Sequence, residues 1–168
     1  MTVLSPVLVP AFTVIFAITG VRALARLFTP AGGDRTVELA HLLMSIAMVG
    51  MVWGWPAGPG TAAGAAQLVV FGVLAVVFVA RVLDPAASPP AGNALHLLGL
   101  AAMLWMVLSM PAAHGPGAHP AAAVTQLVTI AFAVALCAAP FARALTPSRS
   151  VAQVLMSGGT AAMLLAML

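Results

Sequence analysis

Six apolar stretches, each near the length of one membrane crossing and most of them separated by proline- and glycine-rich breaks, dominate this chain. They run near 5–28, 37–56, 66–83, 93–112, 122–145 and 150–168. A helix of about 20 apolar residues matches the hydrocarbon thickness of a bilayer. The breaks include TPAGG at 29–33, PAGPG at 56–60 and GPGAHP at 115–120, all turn-forming compositions. In lipid every unpaired backbone group costs several kcal/mol, so helices are the economical solution. The expectation is an all-α integral membrane protein, a single membrane domain over 1–168 with six transmembrane helices.

Composition closes the alternatives. Of 168 residues, 63% are hydrophobic and 5% charged, whereas a soluble domain carries about 25% charged residues. Such a chain has too little polar surface for a soluble enzyme, a nucleic-acid binder or a disordered tail. The opening MTVLSPVLVP lacks a positive leader region, so the first stretch is expected to remain as a helix. One cysteine, Cys137, excludes an internal disulfide and a cysteine-only metal site; it reads as a small core residue on helix 5.

Orientation follows from charge. The six basic residues are all arginine (Arg22, Arg26, Arg35, Arg81, Arg143, Arg149), in the last turns of odd helices or the loops beyond. Asp34, Glu38 and Asp84 lie in or beside the same loops. The positive-inside rule places those connections in the cytoplasm and both termini outside, in the plasma membrane. Trp53, Trp55 and Trp105 then fall toward the outer ends of helices 2 and 4, where indoles anchor at the interface.

An internal repeat underlies this layout. Odd helices end in LARLFTP (24–30), VARVLDP (79–85) and FARALTP (141–147). Even helices open with HLLMSIAMVGMVW (41–53), HLLGLAAMLWMVL (96–108) and QVLMSGGTAAMLL (153–165). The first and second repeats are offset by 55 residues at both landmarks, Arg26 to Arg81 and His41 to His96. The third has a loop five residues shorter. Three hairpins of like orientation, approximately 5–56, 66–112 and 122–168, are expected around a pseudo-threefold axis.

Apart from Met1, nine methionines occur, all on even helices. Counted from His41, His96 and Gln153, position +3 holds Met44, Gly99 and Met156, and +7 holds Met48, Met103 and Thr160. Position +10 holds Met51, Met106 and Met163, and +14 holds Trp55, Met110 and Met167. Steps of 3, 7, 10 and 14 keep to one narrow face of a helix. Methionine is an adaptable packing residue, but general packing would not confine it to alternate helices. Thioether and imidazole are the ligands that suit Cu(I), and a neutral ligand set avoids buried unpaired carboxylates. The expected inner site is His41, His96, Met44 and Met156, followed by Met48 and Met103 and then the Met51/Met106/Met163 layer. Haem b held by His41 and His96 is the competing cofactor. His114 and His119 in the outer loop read either as solvated loop residues or as a capture point above Met110.

The spacing of Met44/Met48, Met106/Met110 and Met163/Met167 resembles the methionine triads of the high-affinity copper transporter family, a likeness of pattern alone. HLLMSIAMVGMVWGWPAG and NALHLLGLAAMLWMVLSM are similar to the signature helices of an actinobacterial integral-membrane family, domain of unknown function 5134. That resemblance covers most of the chain and implies a His followed by Met-rich turns on repeated helices, with no activity attached. Neither a phosphate-binding loop nor a hydrolase motif occurs, so ATP-driven pumping and hydrolase chemistry lack support and the reading leans away from an enzyme without deciding it. The functions expected are a membrane Cu(I)-binding protein for transport, storage or delivery, or a non-catalytic subunit of a larger membrane complex; an enzyme-like bis-His haem b protein stands third. Its partners would be lipid together with a membrane protein or further copies of itself.

Overall fold

The computed structural model describes residues 8–29, 34–55, 58–84, 90–109, 121–142 and 151–166. These form six helices: α1 (Leu8–Leu27), α2 (Arg35–Val52), α3 (Ala62–Leu83), α4 (Pro90–Ser109), α5 (Ala121–Ala142) and α6 (Val151–Ala166). The four helices α1 to α4 are long and apolar enough to cross a membrane. In α5 and α6 the apolar stretches Val124–Ala138 and Val154–Leu165 are shorter. The chain is thus all-helical and built for a membrane, as its apolar periodicity requires.

The helix ends follow from particular side chains. Asp34 caps α2 by accepting from the Thr36 backbone N–H at 2.9 Å, and Thr61 caps α3 by accepting from Gly64 N–H at 3.0 Å. At its other end α2 closes through Gly54, whose φ of 78° suits a residue without Cβ. There the Gly54 N–H donates to Met51 O at 3.0 Å and the Trp55 N–H to Gly50 O at 2.8 Å. That pair of bonds satisfies carbonyls which helix geometry leaves open.

Each odd helix packs antiparallel to the even helix that follows: α1 on α2, α3 on α4, α5 on α6. Contacts between hairpins join α4 to α5 and α1 to α6, while α2, α4 and α6 touch one another. The odd helices form an outer wall. On α1 and α3 the inward anchors are aromatic: Phe16 on α1 and Phe71 and Phe78 on α3 are fully enclosed. Phe16 and Phe71 stand 55 residues apart, the same offset as the arginines and histidines. Outward faces carry exposed apolar side chains such as Val14, Ile18 and Val21 on α1 and Val69, Val73 and Val76 on α3. A water-soluble protein could not present that surface.

Three side chains depart from the sequence expectation. Cys137 is exposed on the outward face of α5 and is not a core residue, because Ala133 and Leu136 take the buried positions beside it. Trp55 is 58% exposed and does not continue the methionine face, because α2 has already ended at Val52. Trp53 is exposed as well, its indole N–H donating to Thr13 Oγ1 at 3.2 Å. Trp105 is more enclosed than an interfacial anchor: its N–H donates to Thr129 Oγ1 at 3.1 Å and joins α4 to α5.

Candidate metal centre on the inner face of the even helices

The helical spacing of the methionines turns the seven described on α2, α4 and α6 to one side, and that side is the interior. Met44, Met48 and Met51 on α2, Met103 and Met106 on α4, and Met156 and Met163 on α6 are all buried. Met48, Met103 and Met106 have no exposed surface at all. Thr160, which replaces methionine at +7 of the third repeat, is also buried and donates its hydroxyl to Met156 O at 2.8 Å. Met110, Met167, His114, His119, Arg143, Arg149 and the side chain of Gln153 lie outside the described residues.

The two histidines meet. The rings of His41 and His96 are in edge contact, with centroids 4.9 Å apart and planes at 69°. Both are buried. Phe78 packs on the other side of His96 with centroids 5.1 Å apart, and the Arg81 guanidinium stands 5.8 Å over the Phe78 ring. The imidazole pair is thus held between facing helices and backed by an aromatic ring from α3.

One turn further in, the +3 layer has unequal members. The Met44 sulfur lies within 3.7 Å of where a Cβ on residue 99 would stand, so Gly99 leaves room for this thioether beside α4. Met156 on α6 meets α2 instead, its sulfur accepting from Ser45 Oγ at 3.5 Å. Two thioethers from two helices therefore lie at the depth immediately beyond the imidazoles.

The sequence reading missed the ion pairs at the Arg-bearing end of α2. Glu38, expected at the edge of its helix, is only 7% exposed and accepts from Arg26 of α1 at 3.1 Å. The Asp34 carboxylate accepts from Arg81 of α3, with the second guanidinium nitrogen at 3.3 Å, and Arg81 also donates to Thr36 Oγ1 at 3.0 Å. This contact holds the Asp34 carboxyl below its usual value of 3.8. Asn93, also missed, is 2% exposed with its amide Nδ2 unpartnered. The clue was its spacing: Glu38 and Asn93 each stand three residues before a histidine, hence on the same helical face.

Among the described residues this interior offers imidazole and thioether donors, and its buried carboxylate is Glu38 in the first turn of α2. Among the described residues, no three His, Cys, Asp or Glu side chains gather where they could hold a metal ion. The histidine pair and the buried methionines are soft, uncharged groups of the kind suited to Cu(I).

Known proteins add a family and no activity. No curated protein and no solved structure matches the chain. The family model described as Domain of unknown function (DUF5134) matches residues 33–167, which contain every donor named above. The chain belongs to the DUF5134 family.

Proposed function

We propose that this protein binds Cu(I) within the membrane and serves in copper transport, storage or delivery. The observation that carries the reading is the concentration of buried thioethers beside the paired imidazoles on the inner faces of α2, α4 and α6. Leucine would pack such faces as well as methionine, and the odd helices, which hold no methionine, do pack without it. Neutral donors also avoid the cost of a charged ligand set in hydrocarbon.

The proposed inner site is His41, His96, Met44 and Met156. Met48 and Met103 follow, and Met51, Met106 and Met163 form a second layer. We read the three hairpins as arranged around a pseudo-threefold axis, in the plasma membrane, with both termini outside and the histidines toward the cytoplasm. A bound Cu(I) would sit where the His41 and His96 rings now touch. Haem would require its porphyrin plane to enter between those rings.

The test is metal analysis of the full chain purified under reducing conditions from copper-supplemented cells. Stoichiometric copper is expected. Replacing Met51, Met106 and Met163 together with Leu conserves volume and apolarity, at less than about 1.5 kcal/mol each if packing is their role. A stable, copper-deficient variant supports the outer layer, and a stable, copper-replete variant rejects it. His41→Leu with His96→Leu examines the inner site in the same way. A Soret band lost in that double variant would assign the histidines to haem b. If neither copper nor haem is held, the chain is a structural subunit.

A further inference from the structure

Resting on the Cu(I) reading, we infer that Ser45 is a positioning residue, whose hydroxyl orients the Met156 thioether for the inner site. Helical serine and threonine usually return their proton to a carbonyl of their own helix. Thr13, Thr19, Thr129 and Thr160 all do so, four residues back, at 2.7 to 2.9 Å. Ser45 instead reaches across helix boundaries, to Met156 Sδ on α6 at 3.5 Å and Thr19 Oγ1 on α1 at 3.4 Å.

One proton cannot serve both acceptors. A separation of 3.4 Å is long for O–H···O, whose distances centre on about 2.7–2.8 Å. The larger sulfur atom makes 3.5 Å an ordinary O–H···S contact. The proton therefore belongs to Met156. Thr19, whose own proton is spent on Ile15 O, stands behind Ser45 as a buttress.

Backbone packing holds the arrangement. Gly20 lets α1 close onto Ser45, since a Cβ at residue 20 would lie 3.2 Å from the Ser45 Cβ. Ser45 is 2% exposed and cannot turn to solvent. Methionine, with three rotatable side-chain bonds, is the ligand type that gains most from such a restraint. A thioether sulfur has two lone pairs. With one engaged by Ser45, the other keeps a defined direction for metal. Outer partners of this kind commonly carry 10- to 100-fold of metal affinity, and a single bond to sulfur belongs at the lower end.

The experiment is a Cu(I) titration of the purified full chain against a chromophoric Cu(I) chelator. Ser45→Ala is expected to weaken binding about tenfold and to lower the sulfur contribution at the copper X-ray absorption edge. In a Met156→Leu background the same substitution is expected to change nothing. An equal loss in both backgrounds, or no loss in either, overturns the inference while the copper reading stands. A wild-type chain that binds no Cu(I) overturns the copper reading and the metal-site role of Ser45 together. Methyl NMR of the metal-free chain reads the restraint separately: Ser45→Ala should move the Met156 methyl resonance toward its rotamer-averaged position. An unmoved resonance would show that Ser45 does not hold Met156.

Discussion

Adding one methyl group at Gly159 is expected to destabilise this protein although alanine is the better helix former. A Cβ there would stand 2.7 Å from Phe16 Cζ and 2.9 Å from Cε1, against about 3.5–4.0 Å for carbon atoms in contact. The Phe16 ring is fully enclosed and near-parallel to Phe12, with centroids 6.1 Å apart, so the added methyl would meet packed ring carbons. Either the ring is pushed toward the cavity it borders between α1 and α2, or the separation between α1 and α6 grows. Overpacking of this kind costs about 1–3 kcal/mol, and helix propensity returns about 0.8–1.0 kcal/mol. The net is a loss of up to about 2 kcal/mol, a few degrees in melting temperature for a chain of this size. Gly158 is an internal control: nothing lies within 4 Å of a Cβ there, so Gly158→Ala should be neutral or stabilising. Thermal unfolding in detergent, followed by tryptophan fluorescence, measures both variants. Phe16→Leu in the Gly159→Ala chain should recover part of the loss, so the two changes couple. If Gly159→Ala raises the melting temperature, or the two changes simply add, the close contact is not what shapes this interface.

Arg81→Gln should flatten the acid side of the stability profile. The folded-state value of Asp34 is depressed, so its contribution is present above the ordinary value of 3.8 and fades as pH falls through the lower, folded one. At neutral pH the loss should stay below about 1 kcal/mol, because the pair is partly exposed, and shrink with added salt; unfolding across pH 2 to 7 measures both. Gly99→Ala should be tolerated, since its Cβ would meet the Met44 sulfur at an ordinary 3.7 Å, whereas Gly99→Met should displace that thioether. Copper retention and the Met44 methyl resonance distinguish the two. For orientation, cysteines placed at Ala62 and Ala118 in a Cys137→Ser background should label from outside the cell. Labelling from the cytoplasm alone would reverse the proposed topology.

Much of the architecture was legible because two strong periodicities coincide. The 3.6-residue helical period placed Met44, Met48 and Met51 on one face, and that face proved to be buried. The 55-residue offset placed His41 and His96 at one depth, and their rings touch. Features set by lateral fit were not legible. Phe16 on Gly159 and Ser45 on Met156 depend on how far apart two helices settle, which no pattern within one helix encodes. Cys137 was misplaced for a related reason: a small apolar residue between Leu136 and Ala138 fits an inward or an outward face of α5 equally well. Glu38 was underestimated because a first-turn carboxylate is usually solvated, and only the approach of Arg26 from α1 explains its burial.

The missing side chain at Gly99 has a consequence for direction. A ring of identical subunits must repeat each residue at every equivalent place, so each level of its lining is chemically uniform. One continuous chain is free of that constraint, and this one uses the freedom. Its levels read His, His and Gln; then Met, Gly and Met; then Met, Met and Thr; and finally three Met. Three levels carry two soft donors each and the last carries three, while the side on which a donor is lacking moves from the third repeat to the second and back. On the proposed copper reading and the proposed threefold arrangement, an ion moving past these levels would meet unlike stations, an uneven staircase whose two ends are not interchangeable.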